Sequence, residues 1–392
     1  MSSAVATTVR RRVGAGVLAW LGGIGAAVAV AHPSSCPPPT AEAAVEAAAA
    51  AVAWLAENQA PDGRFLYRYD RAAGSVVPGY STTRHAGTLL ALEQARQAGI
   101  TQATVPADRG IVWAVDQLTG LPGGRTALSA ETGASALLVA ALVERRRLDA
   151  TMSDDGLLER LGRFLAGTVT ARGAVVATWD LAGDRPVPGS RSPFFTGEVL
   201  WALARLHAEF PEGGWDRPAR RISSYLATER DDAERRLPPV SDHWASYAFA
   251  EMSAWPDADG APAGLDEDEL AYARRQAGLF GLQARFESQR RATGLVRLTR
   301  GPEALPAGLG TVGEGLGGMW RLGAREPGLG INRDQVADRL ACVAGLLVDR
   351  QSHSVDPRVD GAWFRAGVTQ VDDEQHGISA LLAALPVLAG RT

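Results

Sequence analysis

Six times along the chain, a polar or charged residue follows a turn and leads directly into a helix-length run of small residues and leucine. The six segments are TTRHAGTLLALEQA, SAETGASALLVAAL, FFTGEVLWALARLH, SDHWASYAFAEM, TVGEGLGGMWRL and VDDEQHGISALLAAL. Beyond its first turn each run carries little charge, which is typical of a helix that is covered on all sides. The pattern predicts six buried helices.

A more amphipathic segment precedes each of these runs. It carries Arg, Asp and Glu on one face, as expected for a helix with one side in solvent. We predict these outer helices at 41–59, 106–119, 154–168, 216–230, 266–288 and 333–350. Sustained period-two alternation is almost absent. Six repeated pairs predict an all-α fold, an (α/α)6 toroid with six inner helices inside six outer ones.

Short runs with Gly and aromatic residues lie between outer and inner helices and are typical of β-hairpins. They include DGRFLYRYDRAAGSVVPGYS, GAVVATWDLAGDRPVPGS, GLVRLTRG and GAWFRAGVTQ. Because each run joins the end of an outer helix to the start of an inner one, all are expected at one rim. The polar residues that begin the inner helices should therefore meet around a cleft at that rim.

The first 40 residues have a different character. Arg10 to Arg12 precede an apolar stretch at 13–31, which is typical of a signal peptide or an uncleaved membrane anchor. A Pro-rich linker follows, and the toroid domain is predicted at 41–392. The positive-inside rule places that domain outside the cytoplasmic membrane, either secreted or anchored. The sequence leaves the cleavage and the oligomeric state open.

The amino-acid composition excludes several classes of partner, reaction and metal site. A net charge of −4 offers no basic excess for nucleic acid, so no nucleic-acid partner is predicted. All 40 basic residues are Arg, which excludes a lysine Schiff base and a P-loop. Two cysteines, Cys36 and Cys342, are too few for a cysteine metal site, and we expect no structural disulfide between the linker and a helix. No cofactor is predicted.

Two resemblances add to this picture. The segment AWLAENQAPDGRF resembles one repeat of terpenoid cyclases and protein prenyltransferases, although their D-x-D-D motif is absent. After residue 40 the chain resembles six-hairpin glycosidases and the helical region of glucuronyl C5-epimerases, in which a hairpin with Tyr leads into an inner helix. These resemblances imply carbohydrate chemistry first and isoprenoid chemistry as an alternative.

The candidate site residues stand at or near the predicted starts of the inner helices. We predict catalytic roles for Asp242, His243, Glu198 and Asp373. We predict substrate-binding roles for Arg84, His85, Tyr80, Glu131, Glu314, His376 and Trp244. A carboxylate at a helix start also has a purely structural use as a cap, and Asp242 fits an N-cap well. Convergence of these groups at one rim favours function.

For this set we predict an exported carbohydrate-active enzyme, with hydrolysis of a glycosidic bond as the first choice and other chemistries as alternatives. Glycoside hydrolysis needs one carboxyl to protonate the leaving oxygen and a second to activate water or attack. Uronate epimerisation or elimination needs a base beside a carboxylate, roles that tyrosine and histidine can fill, with Arg84 binding the substrate. A toroid that binds a glycan or peptide without catalysis is a third possibility. A metal site from His243, His376 and Asp373 is conceivable but is not predicted.

The segment GLGTVG at 308–313 matches G-x-G-x-x-G, yet no strand precedes it. We interpret its glycines as positions of tight turns and close helix contact at the start of an inner helix. Trp179, Phe194, Phe195, Trp244, Trp320 and Trp363 are candidate stacking platforms for sugar rings. The adjacent Phe194 and Phe195 are the clearest of these, because two neighbouring side chains cannot both enter one core face.

Overall fold

The computed structural model describes residues 2–235, 239–256, 264–290 and 295–390. Over these residues the helices are α1 Ser2–Ala31, α2 Ala41–Glu57, α3 Thr82–Gln97, α4 Thr104–Asp116, α5 Thr132–Asp149, α6 Asp155–Gly167, α7 Phe195–Glu209, α8 Asp216–Thr228, α9 Arg230–Glu234, α10 His243–Met252, α11 Glu267–Gln289, α12 Leu295–Arg300, α13 Pro306–Arg325, α14 Arg333–Arg350 and α15 Val371–Ala389. The strands are β1 Arg68–Asp70, β2 Ser75–Val76, β3 Thr119–Leu121, β4 Arg125–Ala127, β5 Trp179–Asp180, β6 Arg185–Pro186 and β7 Val368–Gln370.

The inner helices form a closed ring. In the order α3, α5, α7, α10, α13 and α15, each packs against the next, and α15 packs against α3. The helices α2, α4, α6, α8, α11 and α14 surround this ring, each preceding an inner helix in the chain. Their bounds agree with the predicted outer helices to within a few residues. The predicted all-α toroid is confirmed.

Local sequence explains where several helices begin and how closely they pack. Thr40 and Asn332 cap α2 and α14, each accepting a backbone N–H from the first turn. Glycines let the inner helices approach one another: a Cβ at Gly87 would overlap the side chain of Gln375 on α15. A Cβ at Gly310 would overlap the backbone of His376. The glycines of 308–313 thus include a position of close helix contact, as interpreted from the sequence.

The short strands lie at the rim where the inner helices begin. The predicted hairpins β1–β2 and β5–β6 are present, and β3–β4 is a further one. β7, which leads into the last inner helix α15, pairs with β1 of the first β-hairpin. One three-stranded sheet therefore joins the first and last segments of the helix ring. The prediction for GLVRLTRG was wrong, because 295–300 form the short helix α12, while Gly294 lies outside the described residues.

Residues 32–40, here called the strap, run back along α11 and α14 instead of forming a free linker. The carbonyl of His32 accepts a hydrogen bond from Gln289 Nε2 at 2.5 Å, and Arg339 donates to Ser34 Oγ at 2.7 Å. Cys36 forms a disulfide with Cys342, the two Cα atoms lying 5.0 Å apart. The expectation of no structural disulfide is therefore wrong: closing the ring brings α14 beside the strap although 306 residues separate the two cysteines.

The apolar stretch at 13–31 belongs to α1, and side chains such as Trp20 and Leu18 on it are exposed. Within the described part of the chain, no helix combines the length and apolarity needed to cross a bilayer. The side chains of Arg10 to Arg12 lie outside what the structure describes. The predicted secretion signal or anchor remains a prediction.

Candidate active site

A cavity of about 690 Å³ opens at the end of the toroid where the inner helices begin. Six of the residues predicted to be catalytic or substrate-binding line it, namely Arg84, Glu131, Glu198, His243, Trp244 and His376. They come from five inner-helix starts, at α3, α5, α7, α10 and α15. The predicted convergence at one rim therefore holds for this set.

Glu198, in the first turn of α7, is a buried carboxyl in the cavity wall. Its Oε2 lies against Gly133 of α5, where any Cβ would overlap it. Among the described residues that oxygen has no hydrogen-bond partner. Burial, followed by the charges of Asp242 and Glu131, raises the pKa of Glu198 well above its ordinary value. The raised pKa favours the neutral acid form of the side chain, which can give up a proton.

Glu131 directly precedes α5 and is exposed. Thr83 donates a hydrogen bond from Oγ1 to Glu131 Oε2 at 2.6 Å, which fixes the carboxylate at the cavity surface. Glu131 is two residues before Gly133, the residue that contacts the Glu198 carboxyl. A solvated carboxylate and a desolvated carboxylic acid therefore stand on adjacent inner helices, the type of pair that divides base and acid roles.

Aromatic side chains form one wall of the cavity beside this pair. Phe194 and Phe195 both line it, and the Phe194 side chain is exposed, as the sequence predicted for this dipeptide. Trp244 lines it too and stacks on Trp201, with ring centroids 5.6 Å apart. Such flat apolar faces suit the C–H faces of a sugar ring.

The other candidate platforms do not line the cavity. Trp179 and Trp363 are buried beside the hairpins, and Trp363 donates its indole N–H to the carbonyl of Leu347. Arg333 lies over the ring of Trp320, 4.1 Å from its centroid. These three side chains serve packing.

Arg84 supplies positive charge to the cavity. Its Nε lies 3.0 Å from Asp372 Oδ2, and its NH1 donates to Tyr67 Oη at 3.1 Å. Burial lowers the pKa of Arg84, but the charge of Asp372 opposes this, and the net direction is upward. The guanidinium is partly exposed, so it can contact a ligand while Asp372 holds it in place.

A cluster of two imidazoles and one carboxylate lies where α10, α13 and α15 meet. His376 Nδ1 is 2.6 Å from Glu314 Oε2, and His243 Nε2 is 3.7 Å from the same oxygen. The two rings are 5.2 Å apart and nearly perpendicular. Burial, together with the charge of His376, lowers the pKa of His243 well below its ordinary value. His376 responds oppositely: burial lowers its pKa, but Glu314 outweighs this and the net direction is upward.

Asp242 was predicted to be catalytic, but it does not line the cavity and acts as the N-cap of α10. Its Oδ1 accepts the backbone N–H of Ala245 at 3.0 Å, and its Oδ2 accepts from Arg230 NH1 at 2.7 Å. Both charged side chains are almost completely buried. Because these partners occupy both oxygens, Asp242 is placed to shape the site from behind and not to contact a ligand.

Asp373, also predicted to be catalytic, joins two helix starts. It accepts the backbone N–H of Ala307 at 2.8 Å and that of Gln370 at 3.0 Å, so it ties α13 to α15. Burial raises its pKa to about 7. Its neighbour Asp372, at the same helix start, faces the cavity instead.

Tyr80 and His85 lie apart from the cavity, behind the first hairpin. The Tyr80 hydroxyl is 2.7 Å from His85 Nδ1, and His85 Nε2 is 2.9 Å from the carbonyl of Gly110. The His85 ring also packs on Trp113, with centroids 4.3 Å apart. The Nε2 contact thus ties the inner helix α3 to the outer helix α4, and the Nδ1 contact ties α3 to the loop that precedes it. The geometry therefore favours a structural role for Tyr80 and His85 over contact with a substrate.

Sequence reasoning missed several lining residues. Thr83 and Gln375 stand one position before Arg84 and His376, so the helix-start pattern could have found them. Phe286, Glu287 and Arg290 reach the cavity from the outer helix α11, where nothing in the pattern signals a site.

Comparison with solved structures places this architecture among known folds. An α-1,6-mannanase, GH76A of Salegentibacter sp. HEL1_6, is similar at 11% identity with a TM-score of 0.60, over 88% of this chain and 99% of that one. An unsaturated glucuronyl hydrolase specific for heparin is similar at 12% identity, with a TM-score of 0.59 over 88% and 98%. The cellobiose 2-epimerase from Spirochaeta thermophila DSM 6192 is similar at 12% identity, with a TM-score of 0.55 over 89% and 96%.

The chain shares its fold with six-hairpin glycosidase-like enzymes. No family model and no curated protein matches the sequence. The resemblance inferred from the hairpin repeats is confirmed at the level of fold.

Proposed function

We propose that this chain is a carbohydrate-active enzyme that hydrolyses a glycosidic bond in the cavity at the inner-helix starts. The observation that carries the proposal is the pairing of Glu198 with Glu131 on adjacent inner helices. One carboxyl is buried with a raised pKa and an unpartnered oxygen, and the other is exposed and anchored. Glycoside hydrolysis requires these two states side by side.

In this proposal Glu198 protonates the oxygen of the departing sugar, because a neutral carboxylic acid is a proton donor. Glu131 activates water or attacks the anomeric carbon from its exposed position. Phe194, Phe195 and Trp244 stack on the sugar rings. Asp242 does not line the cavity, but its buried charge helps to raise the pKa of Glu198 and so to keep the proton on that carboxyl.

Uronate epimerisation or elimination is a second candidate, favoured by the two imidazoles of opposite pKa shift and by Arg84 in the same cavity. An isoprenoid substrate has less support. A cavity for such a substrate would be lined almost wholly by aromatic residues, whereas Glu131, Glu198 and Asp372 all line this one.

The test is a panel of neutral and uronic polysaccharides incubated with the wild type, Glu198→Gln and Glu131→Gln, with release of reducing ends as the measurement. We expect each substitution to lower turnover by about 1,000-fold, since general acid and base groups contribute about 10²–10⁴-fold. Glu159→Gln, on the exposed face of α6, is the matched control and should keep full activity.

The alternatives give different results in the same panel. New sugar epimers, with deuterium taken up from heavy water and no new reducing ends, would favour epimerisation. Binding that both Gln variants retain, without turnover by the wild type, would favour a non-catalytic glycan-binding toroid. Either outcome would count against hydrolysis.

We also propose that the chain is exported. The Cys36–Cys342 disulfide supports this, because structural disulfides persist in oxidising compartments. The apolar helix α1 directly precedes the strap, as expected of a secretion signal or anchor. Trapping free thiols in protein taken from intact cells tests the proposal. We expect both cysteines to be protected, and two free thiols would count against export.

A further inference from the structure

The cluster of His243, Glu314 and His376 has features that acid–base chemistry in the cavity leaves unexplained. Among the described residues, both ring nitrogens of His243 lack a hydrogen-bond partner although its side chain is only 2% exposed. A buried polar atom left without a partner costs about 1–3 kcal/mol. An imidazole placed at such a cost points to a ligand that the ring would bind.

The three side chains offer one ligand atom each in a compact arrangement. One ligand atom from each residue lies within 4.8 Å of the other two. The contacts to Glu314 Oε2 come from His243 Nε2 and His376 Nδ1. A tetrahedral zinc ion with ligands at about 2.0–2.1 Å holds its ligand atoms about 3.3 Å apart. The separations from the Glu314 oxygen are 3.7 Å and 2.6 Å, which bracket that value. Side-chain movements of roughly 1 Å would therefore bring the ligand atoms to the spacing of a tetrahedral zinc site.

The charge balance of the cluster also suits a cation. Glu314 is a buried carboxylate, and no arginine pairs with it within the described ranges. His376 Nδ1, 2.6 Å from Glu314 Oε2, is its nearest contact that can carry positive charge. A divalent ion between these side chains would balance the charge of Glu314 and give Nε2 of His243 a partner at the same time.

We propose that His243, Glu314 and His376 bind a divalent transition-metal ion, with Zn²⁺ as the best-fitting candidate. His243 and His376 line the cavity while Glu314 lies behind them, so the remaining coordination position faces the cavity. Two histidines, one glutamate and an open position are the arrangement of catalytic zinc sites, whose fourth ligand is water or a substrate oxygen. The ion would orient a substrate hydroxyl or carboxylate beside the Glu131–Glu198 pair.

The sequence suggested a different ligand set. A site from His243, His376 and Asp373 was conceivable from the sequence but was not predicted. The structure instead uses both Asp373 oxygens to hold helix starts together and brings in Glu314 from α13. Glu314 is one helical turn from Gly310, whose missing side chain lets α13 approach His376.

The test measures metal binding directly, so its result is independent of whether the chain hydrolyses glycosides. The full chain is stripped with a chelator and titrated with Zn²⁺ by calorimetry, then loaded with Co²⁺ for absorption spectroscopy. We expect one ion per chain with a Kd in the micromolar range or below, and the visible absorption of tetrahedral Co²⁺.

Variants locate the ion. His243→Ala and Glu314→Gln should each weaken Zn²⁺ binding by at least 100-fold and abolish the Co²⁺ bands. Glu314→Gln conserves volume, so it guards against a loss that is due only to misfolding. The matched control is His207→Ala, which should bind Zn²⁺ like the wild type, because the His207 ring packs edge-on against Trp255 at the far end of the barrel. No binding by the wild type, or equal binding by both site variants, would overturn the proposal.

Discussion

Asp242 and Glu198 belong to the starts of adjacent inner helices, and both carboxyl groups are buried, yet their surroundings differ in one decisive respect. Both oxygens of Asp242 have partners, since Oδ1 caps α10 and Oδ2 accepts a hydrogen bond from Arg230. Glu198 faces the cavity with an oxygen that has no partner in the described structure. Burial alone therefore does not separate a structural carboxyl from a reactive one, whereas the state of its partners does.

The same contrast holds between two histidines. His85 and His243 are equally buried in the starts of α3 and α10. Both nitrogens of His85 have partners, in Tyr80 and the carbonyl of Gly110, while neither nitrogen of His243 has one among the described residues. The partnered group holds helices together, and the unpartnered group is available to a ligand.

The strongest test of this contrast compares Asp242→Asn with Glu198→Gln in urea unfolding. Asp242→Asn should lower the free energy of unfolding by about 4 kcal/mol, because it removes the carboxylate that pairs directly with the buried Arg230 guanidinium. Glu198→Gln should leave stability within about 1 kcal/mol of the wild type, because the carboxyl it replaces is already neutral.

A double variant makes this comparison sharper. Combining Arg230→Met with Asp242→Asn removes both charges, so at least half of the lost stability should return. If Glu198→Gln destabilised the protein as much as Asp242→Asn does, the distinction between the two carboxyls would be lost.

A smaller effect is expected from the pH dependence of stability. Burial lowers the pKa of His85 from 6.5 to about 4. Between these values the unfolded chain binds a proton that the folded chain does not, so the contribution of His85 to stability is complete above pH 6.5 and is lost as the pH falls toward 4. The loss should reach roughly 3 kcal/mol.

Unfolding by urea at a series of pH values measures this contribution. His85→Gln should flatten the decline between pH 6.5 and 4, while the exposed His353→Gln should leave it unchanged. Identical pH profiles for His85→Gln and the wild type would show that His85 is not held neutral by its surroundings.

Most of the ring could be predicted from the sequence, because helix period, caps and small-residue faces are local signals. Which of the polar residues at the helix starts line the cavity, and which cap helices, could not be predicted. Asp242 and Glu198 both stand in an N-terminal turn, where one residue of register decides whether a carboxyl turns back to the backbone or toward the axis. Asp372 and Asp373 show the same limit, since one faces the cavity and its neighbour caps.

The disulfide escaped prediction for a different reason. No local pattern shows that the strap lies on α14, because that contact depends on how the complete ring closes. The position of Glu314 beside the two histidines likewise depends on the glycine-rich approach of α13 to α15. Contacts between segments that are distant in the chain could not be predicted from this single sequence.

The pairing of β1 with β7 carries a consequence for biosynthesis. Strand β7 begins at Val368, near the end of the chain, and its partner begins at Arg68. A nascent chain lacking its last hairpin leaves the flanks of α3 and α13 without the neighbour that normally covers both. The ring around the cavity can therefore close only after α15 has been synthesised, and until then the earlier helical hairpins keep apolar sides uncovered.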